Sequence, residues 1–162
     1  MITMRPATHD DLPAIVALYA DDVLGAARET PDDLAPYEAA FDRLAAIAGV
    51  MTVLVAERDG AIVGTMQLTV LPGLSHRGTS RAHLEAVRVA AAHRGGGVGT
   101  QMIRWAIAEA NRRGCGMIEL ASNRQRTAAA RFYERLGFMP SHIGFKLRLS
   151  GCRQTERSTG VR

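Results

Sequence analysis

Residues 94–100 read Arg-Gly-Gly-Gly-Val-Gly-Thr and stand between two segments of different periodicity. The preceding segment, 81–90, alternates as a β-strand does, and the following segment, 98–113, has the spacing of an amphipathic helix. Glycines let backbone N–H groups come close to a ligand, and a helix N-terminus adds a partial positive charge. The stretch therefore predicts a strand–turn–helix unit whose turn suits a pyrophosphate.

Two common nucleotide-binding motifs do not match this turn. The dinucleotide fingerprint G-x-G-x-x-G fails because Gly95 and Gly97 are followed by Thr100 where the third glycine belongs. The P-loop requires Gly-Lys-Ser/Thr, and the turn contains no lysine. Both nucleotide-binding readings are therefore excluded.

The rest of the chain alternates between strand and helix patterns in a mixed order. Apolar or alternating runs predict strands over 2–6, 51–57, 61–71, 81–90 and 117–121, with one or two more in 138–149. Helical spacing predicts a helix starting after Asp10 or Asp11, and helices over 31–48 (capped by Gly49), 98–113 and 127–136. Hairpin strands must be antiparallel, whereas strand–helix–strand units are parallel. The predicted fold class is α/β, with a mixed, mostly antiparallel sheet flanked by helices on both faces.

Length and composition point to one globular domain. The chain has 162 residues, of which 47% are hydrophobic and 22% charged, enough to bury a core. Residues 150–162 lack apolar periodicity. We therefore expect a single domain over 1–149 and a flexible tail over 150–162.

The net charge of +4 hides an uneven distribution. Residues 1–60 carry eleven acidic residues and four arginines, whereas residues 61–162 carry five acidic and sixteen basic residues. Uniform basicity would suggest nucleic acid, but this division suggests two ligands of opposite sign. No nucleic acid partner is expected.

Cysteine and histidine usage predicts no metal site and no disulfide framework. Cys115 heads an apolar run and is expected to be a buried thiol, and Cys152 lies in the polar tail. The N-terminus lacks the pattern of a signal peptide, and no apolar run approaches the ~20 residues that span a bilayer. A cytoplasmic protein without membrane association is expected.

Two motifs resemble the GNAT superfamily of N-acetyltransferases. Arg94-x-x-Gly97-x-Gly99 after an apolar strand resembles that family's acyl-CoA pyrophosphate loop. Residues 126–138 look like its Ala-x-x-Phe-Tyr-x-x-x-Gly-Phe helix and strand. The order of elements from Ile2 to Leu149 is also similar. The chain departs from the family pattern at Ala91, where a proline is common, and at Arg126, where many members have asparagine.

The resemblance implies acetyl-CoA as co-substrate and assigns its binding residues. The fourth strand would pair with the pantetheine arm through the backbone of Val87 and Val89, and the Val89 N–H would polarise the thioester carbonyl. The pyrophosphate would be bound at Arg94, Gly95, Gly97, Val98, Gly99 and Thr100. Arg126 would contact the cofactor, and Arg124, Arg126 or Arg131 would meet its 3′-phosphate.

The resemblance also supplies catalytic candidates. Tyr133 matches the tyrosine that lies near the cofactor sulfur, where its phenol would protonate the departing thiolate; otherwise it is a core aromatic beside Phe132. Glu85, a carboxylate within an apolar strand, is the candidate base, acting through a water. Strand alternation puts it on one face with His83, Val87 and Val89. His83 is an alternative base, and an ion pair of Glu85 with Arg81 or Arg88 is the structural alternative.

The acceptor site is implied to lie between the first two helices. An acidic wall there would favour a cationic amine, although the same residues also serve helix solubility; they are Tyr19, Asp21, Asp22, Glu29, Asp32, Asp33, Tyr37, Glu38 and Asp42. The loop over 72–80, with His76 and Arg77, would instead contact an anionic group on the acceptor. The segment 141–147 and the 126–138 helix resemble aminoalkylphosphonate acetyltransferases locally.

The sequence thus predicts an acetyl-CoA-dependent N-acetyltransferase that acts on the primary amine of a small molecule by direct attack in a ternary complex. The alternatives are a protein or peptide N-terminal acetyltransferase and a non-catalytic acyl-CoA-binding sensor. The resemblance further implies a homodimer.

Overall fold

Five strands form one open sheet in the order β1-β2-β3-β4-β5 within the computed structural model, which describes residues 1–21, 26–147 and 149. They are β1 (Thr3–Pro6), β2 (Met51–Arg58), β3 (Ala61–Leu71), β4 (Arg81–Val89) and β5 (Met117–Leu120). Neighbouring strands are antiparallel except β4 and β5, which are parallel and are connected through a helix. The predicted mixed, mostly antiparallel sheet is confirmed.

Helices cover both faces of this sheet. They are α1 (Leu12–Ala20), α2 (Ala35–Ala45), the single turn α3 (Ser75–Gly78), α4 (Val98–Arg112) and α5 (Thr127–Arg135). Met102 and Ile103 of α4 are buried against Leu54, Met66 and Leu84 on one face. The alternate residues Val53 and Val55 of β2 pack with Ile15 of α1 on the other. Burial of these apolar side chains on both faces provides most of the driving force for the fold.

The β2–β3 hairpin and two helix ends follow their local sequence signals. Asp59 and Gly60 have φ of 52° and 77°, the left-handed pair that a two-residue hairpin turn requires. Gly114 and Gly137, at φ of 72° and 92°, follow the ends of α4 and α5. These turns were all predicted from the sequence.

Helix α2 is shorter than predicted. It begins at Ala35 rather than residue 31 and ends at Ala45, so Gly49 does not cap it. Pro36 explains the late start, because a proline in a helix interior lacks the N–H donor and collides with the preceding turn. It is tolerated in the first turn, where the structure places it.

The strands predicted over 138–149 are absent from the described part of that segment, residues 138–147 and 149. Phe145 and Leu147 are 92% and 86% exposed, so their side chains do not pack on a sheet face. Phe138 at the start of the segment packs on the larger apolar cluster, but the described residues pair with no strand, and a strand needs a neighbouring ladder. The prediction of final strands was therefore wrong for these residues.

Some sequence predictions concern residues outside the described ranges. Cys115 is buried as expected, whereas Cys152 and the predicted tail over 150–162 lie outside the described residues. Among the described helices, none combines the length and apolar character needed to cross a membrane.

Candidate functional site

Strand β4 contains a bulge at Ala86 that decides which side chains reach the site. Thr65 pairs with Arg88 and Gln67 with Glu85, so Met66 of β3 opposes two residues of β4. The extra residue, Ala86, has a φ of 50°, in the left-handed region that alanine rarely adopts. This is the geometry of a β-bulge, which adds one residue to one strand of a pair.

The bulge reverses the alternation of side chains along β4. Glu85 and Arg88 lie on one face with their partners Gln67 and Thr65, and His83 shares that face. The side chains of Val87 and Val89 lie on the opposite face, where they pack against the apolar cluster that contains Met102 and Ile103 of α4. Phe132 packs against the same cluster. The prediction that Glu85 shares a face with the Val87 and Val89 side chains was therefore wrong, since simple alternation ignores the added residue.

The backbone groups of Val87 and Val89 point away from β3. The Ala90 N–H donates to the Val63 carbonyl at 2.9 Å, so in antiparallel alternation the groups of Val89 face the other side. There the Val89 carbonyl accepts from Arg94 Nε at 3.0 Å, and the Val87 carbonyl accepts from Arg88 Nη1 at 2.9 Å. Strand β5 pairs with β4 only up to Leu84, which leaves this edge open. An extended ligand could add hydrogen bonds here.

The glycine turn lies at the end of this open edge. Gly95 and Gly97 both have a φ of 78°, and Gly97 is the residue from which α4 starts. A Cβ on Gly99 would lie 3.3 Å from the Phe132 ring, so glycine allows α5 to pack closely against α4. The first N–H groups of a helix lack carbonyl partners within it, and they are available to bind phosphate oxygens. The turn, with Val98 and Thr100 in the first helical turn, fits a pyrophosphate.

Only one of the three arginines considered for the 3′-phosphate borders the open edge. A cleft of about 290 Å³ next to the β4 edge is lined by Val87, Arg88, Val89, Arg94, Arg126, Ala128 and Ala129. Arg126 directly precedes α5. Arg124 and Arg131 are exposed and do not line this cleft.

A larger cleft of about 710 Å³ brings the two catalytic candidates, Glu85 and Tyr133, together. Its lining is drawn from α1 and the following loop, α2, β3, β4, the end of β5 and the segment after it, α5, and the segment after α5. The charged and polar members are Tyr19, Arg28, Glu29, Tyr37, Gln67, His83, Glu85, Arg88, Ser122, Asn123, Arg126, Tyr133 and Lys146. Both clefts share Val87, Arg88, Arg126 and Ala129, so they join at the open β4 edge and the start of α5.

Tyr133 is held by aromatic neighbours with its ring partly buried. Its ring meets those of Phe132 and Phe138 edge-on at centroid distances of 5.1 and 5.8 Å. Burial raises the pKa of the Tyr133 phenol, while the positive charges of Arg88 and Arg126 counteract part of that rise. The phenol is therefore protonated at neutral pH and available as a proton donor.

Glu85 is more exposed than the sequence suggested. Its side chain is 51% exposed, and one oxygen accepts a hydrogen bond from Gln67 Nε2 at 3.2 Å. His83 lies between two carboxylates, 3.8 Å from Glu85 and 3.6 Å from Glu119. Arg81, one expected ion-pair partner of Glu85, is instead 3.7 Å from Glu119. Glu85 thus has access to water, as a base acting through a water molecule requires.

Most of the acidic residues expected to line the acceptor site between the first two helices do not line the cleft. Of the residues named for it, only Tyr19, Glu29 and Tyr37 line the cleft. Asp21 pairs with Arg94 and Asp42 with His9, while Asp32, Asp33 and Glu38 are exposed outside the cleft, and Asp22 lies outside the described residues. Glu29 is fixed by the Tyr37 hydroxyl, which donates to it at 2.9 Å and accepts from the Thr30 N–H at 2.9 Å.

Basic residues outnumber carboxylates in the cleft, which the sequence did not indicate. Arg28, Arg88, Arg126 and Lys146 line it together with the carboxylates Glu29 and Glu85. Arg88 was missed because its orientation depends on the Ala86 bulge. The loop over 72–80 lies at the other end of β4, where the Ser80 carbonyl accepts from the Gly116 N–H at 2.9 Å, and neither His76 nor Arg77 lines the cleft.

Comparisons with known proteins identify relatives along most of the chain. The family model described as "Acetyltransferase (GNAT) family" matches residues 15–138. An aminoalkylphosphonate N-acetyltransferase of Salmonella typhimurium is 30% identical over 144 residues, 88% of either chain. A glucosamine 6-phosphate N-acetyltransferase of Trypanosoma brucei brucei is 33% identical over 92 residues, 56% of this chain and 60% of that one.

A solved structure is also similar over most of its length. The crystal structure of a transcriptional regulator from Bacillus halodurans has a TM-score of 0.88 and 41% sequence identity. The match covers 92% of this chain and 100% of that one. The overall fold of this chain is thus shared with that protein.

Proposed function

The chain belongs to the GNAT family of acetyltransferases, and from this premise we propose that it transfers an acetyl group from acetyl-CoA to the primary amine of a small molecule. The reaction is direct attack within a ternary complex. The observation that carries the proposal is the 710 Å³ cleft, which holds Glu85 and Tyr133 beside the open edge of β4. When bound, acetyl-CoA supplies an activated thioester.

The residues of the open edge and the glycine turn bind acetyl-CoA in this proposal. The backbone of Val87 and Val89 pairs with the pantetheine arm, because these groups point away from β3. Gly95, Gly97, Val98, Gly99 and Thr100 offer N–H groups to the pyrophosphate, and Arg94 adds a charge-assisted contact. Arg126 lines the same cleft and contacts the cofactor.

Three groups of this chain transfer protons or stabilise the charge that develops during acetyl transfer. Glu85 accepts, through a water, a proton from the acceptor ammonium, which leaves the neutral amine as nucleophile. The Val89 N–H donates to the thioester carbonyl oxygen, where negative charge develops. As the amine nitrogen bonds to the acyl carbon and the carbon–sulfur bond breaks, the Tyr133 hydroxyl gives its proton to sulfur. Glu85 passes the first proton to solvent through the same water and then accepts the second amine proton, and the Tyr133 phenolate regains a proton from solvent.

The charge of the cleft supports an acceptor that also carries an anionic group. Arg126 is assigned to the cofactor, and the pantetheine arm and thioester are uncharged, so Arg28, Arg88 and Lys146 are the basic residues of the cleft that face the acceptor. Arg28 and Lys146 suit a phosphonate or phosphate, and Glu29 or Glu85 suits the ammonium. Two relatives are named for an aminoalkylphosphonate and for a sugar amine phosphate. The purely cationic acceptor suggested by the acidic N-terminal half is therefore not proposed.

Release of free CoA thiol across an amine panel tests the proposal. We expect 2-aminoethylphosphonate to react faster than ethylamine, putrescine or a short peptide with a free N-terminus. Tyr133→Phe and Glu85→Gln should each lower kcat by about 100-fold, the usual size of acid–base contributions. Glu134→Gln, next to Tyr133 but exposed and outside the cleft, is the matched control and should keep the wild-type rate.

A second candidate is an acyl-CoA sensor without turnover, which the 41% identity to a transcriptional regulator favours. CoA binding with no thiol release for any acceptor would favour this sensor. Preferential acetylation of the peptide would favour an N-terminal acetyltransferase instead. Wild-type rates in both Tyr133→Phe and Glu85→Gln would contradict the proposed roles. The cytoplasmic location and the homodimer stay predictions.

A further inference from the structure

The Arg94 side chain lies against strand β4, where it forms hydrogen bonds with Val89 and Asp21. Its Nε donates to the Val89 carbonyl at 3.0 Å. Its Nη2 donates to both the backbone carbonyl and the Oδ2 of Asp21, each at 2.9 Å. The guanidinium therefore bridges the open edge of β4 and the end of helix α1.

Asp21 is itself fixed at the end of α1. Its backbone N–H donates to the Ala17 carbonyl at 2.9 Å, continuing the helical ladder by one residue. Its Oδ2 also accepts from the Ala91 N–H at 3.1 Å, in the segment between β4 and the glycine turn. The side chains of Asp21 and Arg94 are 45% and 51% exposed, so the pair lies at the surface and is accessible to a competing anion.

These contacts occupy groups that the proposed function assigns to acetyl-CoA. A carboxylate on a guanidinium makes the same kind of charge-assisted hydrogen bond as a phosphate oxygen does. The Val89 carbonyl, which Arg94 Nε occupies, is one of the outward backbone groups of the open edge. Both the pyrophosphate position on Arg94 and one pairing position on β4 are thus filled by the protein itself.

We propose that Asp21 is an internal anion that competes with the acyl-CoA pyrophosphate for Arg94. Binding of acyl-CoA breaks the Asp21–Arg94 pair and releases the Val89 carbonyl for the pantetheine arm. Asp21 therefore lowers the affinity for CoA and favours release of the product. This inference rests on the proposed function, because it takes acyl-CoA as the ligand of the glycine turn.

Calorimetric titration with CoA of the full chain tests the competition without requiring turnover. Asp21→Asn keeps an oxygen for the Ala91 N–H but removes the charge that holds Arg94. We expect it to lower the Kd for CoA by about threefold to tenfold, as an exposed ion pair with added hydrogen bonds allows. Asp32→Asn removes one exposed charge from the same interhelical region without contacting Arg94, and should change the Kd less than twofold.

A double-mutant cycle separates competition from general electrostatics. In an Arg94→Gln background, Asp21→Asn should no longer improve CoA binding, because the pair it breaks is already absent. A higher Kd for Asp21→Asn would overturn the inference and make Asp21 a residue that orients Arg94 for the pyrophosphate. An equal gain in Asp32→Asn, or a gain that persists without Arg94, would overturn it in favour of a net-charge effect.

The same titration distinguishes failure of this inference from failure of the proposed function. CoA binding with equal affinity in the wild type and Asp21→Asn would overturn the competition alone. No CoA binding by either protein would overturn the assignment of the glycine turn, and the competition with it.

Discussion

The side chain of Asp11 is a buried carboxylate that connects the first strand to the first helix. Its two oxygens accept from Arg5 Nη1 at 2.7 Å and Nη2 at 3.0 Å, and one also accepts from the Thr8 N–H at 2.7 Å. These hydrogen bonds, those from Arg5 above all, hold the pKa of the Asp11 carboxyl at about 2, while burial opposes the shift. The same guanidinium donates to Glu57 at 3.0 Å, so β2 joins the network.

We predict that Asp11→Asn lowers the free energy of unfolding at pH 7 by about 2 kcal/mol, because it leaves Arg5 without its main partner. A carboxyl whose pKa is lowered by folding stabilises the protein above its unfolded pKa of about 4. That stabilisation is lost as the pH falls towards 2. The difference between variant and wild type should therefore shrink between pH 5 and pH 3 in urea denaturation.

Asp10→Asn provides the control for this measurement. Asp10 is the exposed neighbour of Asp11 in the same short turn, and its replacement should cost less than about 0.5 kcal/mol at either pH. An Asp11→Asn protein as stable as the wild type at pH 7 would show that the Arg5 network contributes nothing net.

Individual site residues were predictable from the sequence where they belong to a short motif. Tyr133 and the glycines of the turn were found from sequence because their spacing is itself the signal. Arg88 and Arg28 were missed, since their place in the cleft depends on a bulge and on a loop that no short-range pattern encodes. Asp21 was placed in the acceptor wall, whereas its contact with Arg94 spans 73 residues of sequence.

At the scale of elements, strand β3 and helix α4 approach each other closely at Gly64. A Cβ there would lie 2.7 Å from Met102 Sδ and 2.9 Å from the Arg88 carbonyl oxygen. Methionine can move aside, but the backbone carbonyl belongs to the bulged part of β4 and cannot do so without distorting the strand. Glycine at this position lets the sheet and helix pack beside the site.

Gly64→Ala should therefore destabilise the protein by about 1 to 3 kcal/mol, as overpacking of a well-filled core does. Thermal and urea unfolding measure the change. Gly49→Ala is the matched control, because a Cβ there meets nothing within 4 Å and the residue does not need positive φ; its effect should stay within about 0.5 kcal/mol. Equal stability of Gly64→Ala and the wild type would be inconsistent with this close packing.

Elements with local signals were predicted well, and those that depend on distant partners were not. The Asp59–Gly60 turn sets the β2–β3 hairpin by itself. The apolar spacing around α2 predicts a helix that is longer at both ends, whereas Pro36 is tolerated only in the first turn, where the helix starts. The segment 138–149 carries strand-like residues, but a strand forms only where a neighbour offers a ladder. The bulge at Ala86 has no sequence signal, since alanine is an unusual residue at positive φ.

At the scale of the molecule, the division of charge along the chain is not a division of charge in space. Three acidic residues of the first 60 pair with basic groups and do not line the acceptor cleft: Asp11 with Arg5, Asp42 with His9, and Asp21 with Arg94. Most of the acidic residues expected around the acceptor therefore do not line the described cleft, because counting charges along a sequence ignores where they meet in the fold.

We propose that residues 1–149 form the catalytic domain. Within the described part of the chain, the side chains that build or pack against the two apolar clusters lie between Ile2 and Phe138. A chain ending at Leu149 should keep its unfolding midpoint within about 2 °C and its CoA affinity unchanged.

A shorter chain ending at Arg135 is the informative comparison. It loses Leu136 and Phe138, which pack on the larger cluster, and with Phe138 the ring that meets Tyr133. Its unfolding midpoint should fall by several degrees. If the chain ending at Leu149 lost as much stability as this one, the proposed domain boundary would be wrong.

The arginine-rich composition has a practical consequence at the mouth of the cleft. Lys146 is the only lysine of the chain and lines the cleft that holds Glu85 and Tyr133. Apart from the terminal amine of Met1, an amine-directed fluorophore therefore has a single attachment point. Acylation of that amine removes a positive charge that the proposed function offers to the anionic group of the acceptor, so labelling should slow acceptor acetylation while leaving CoA binding unchanged.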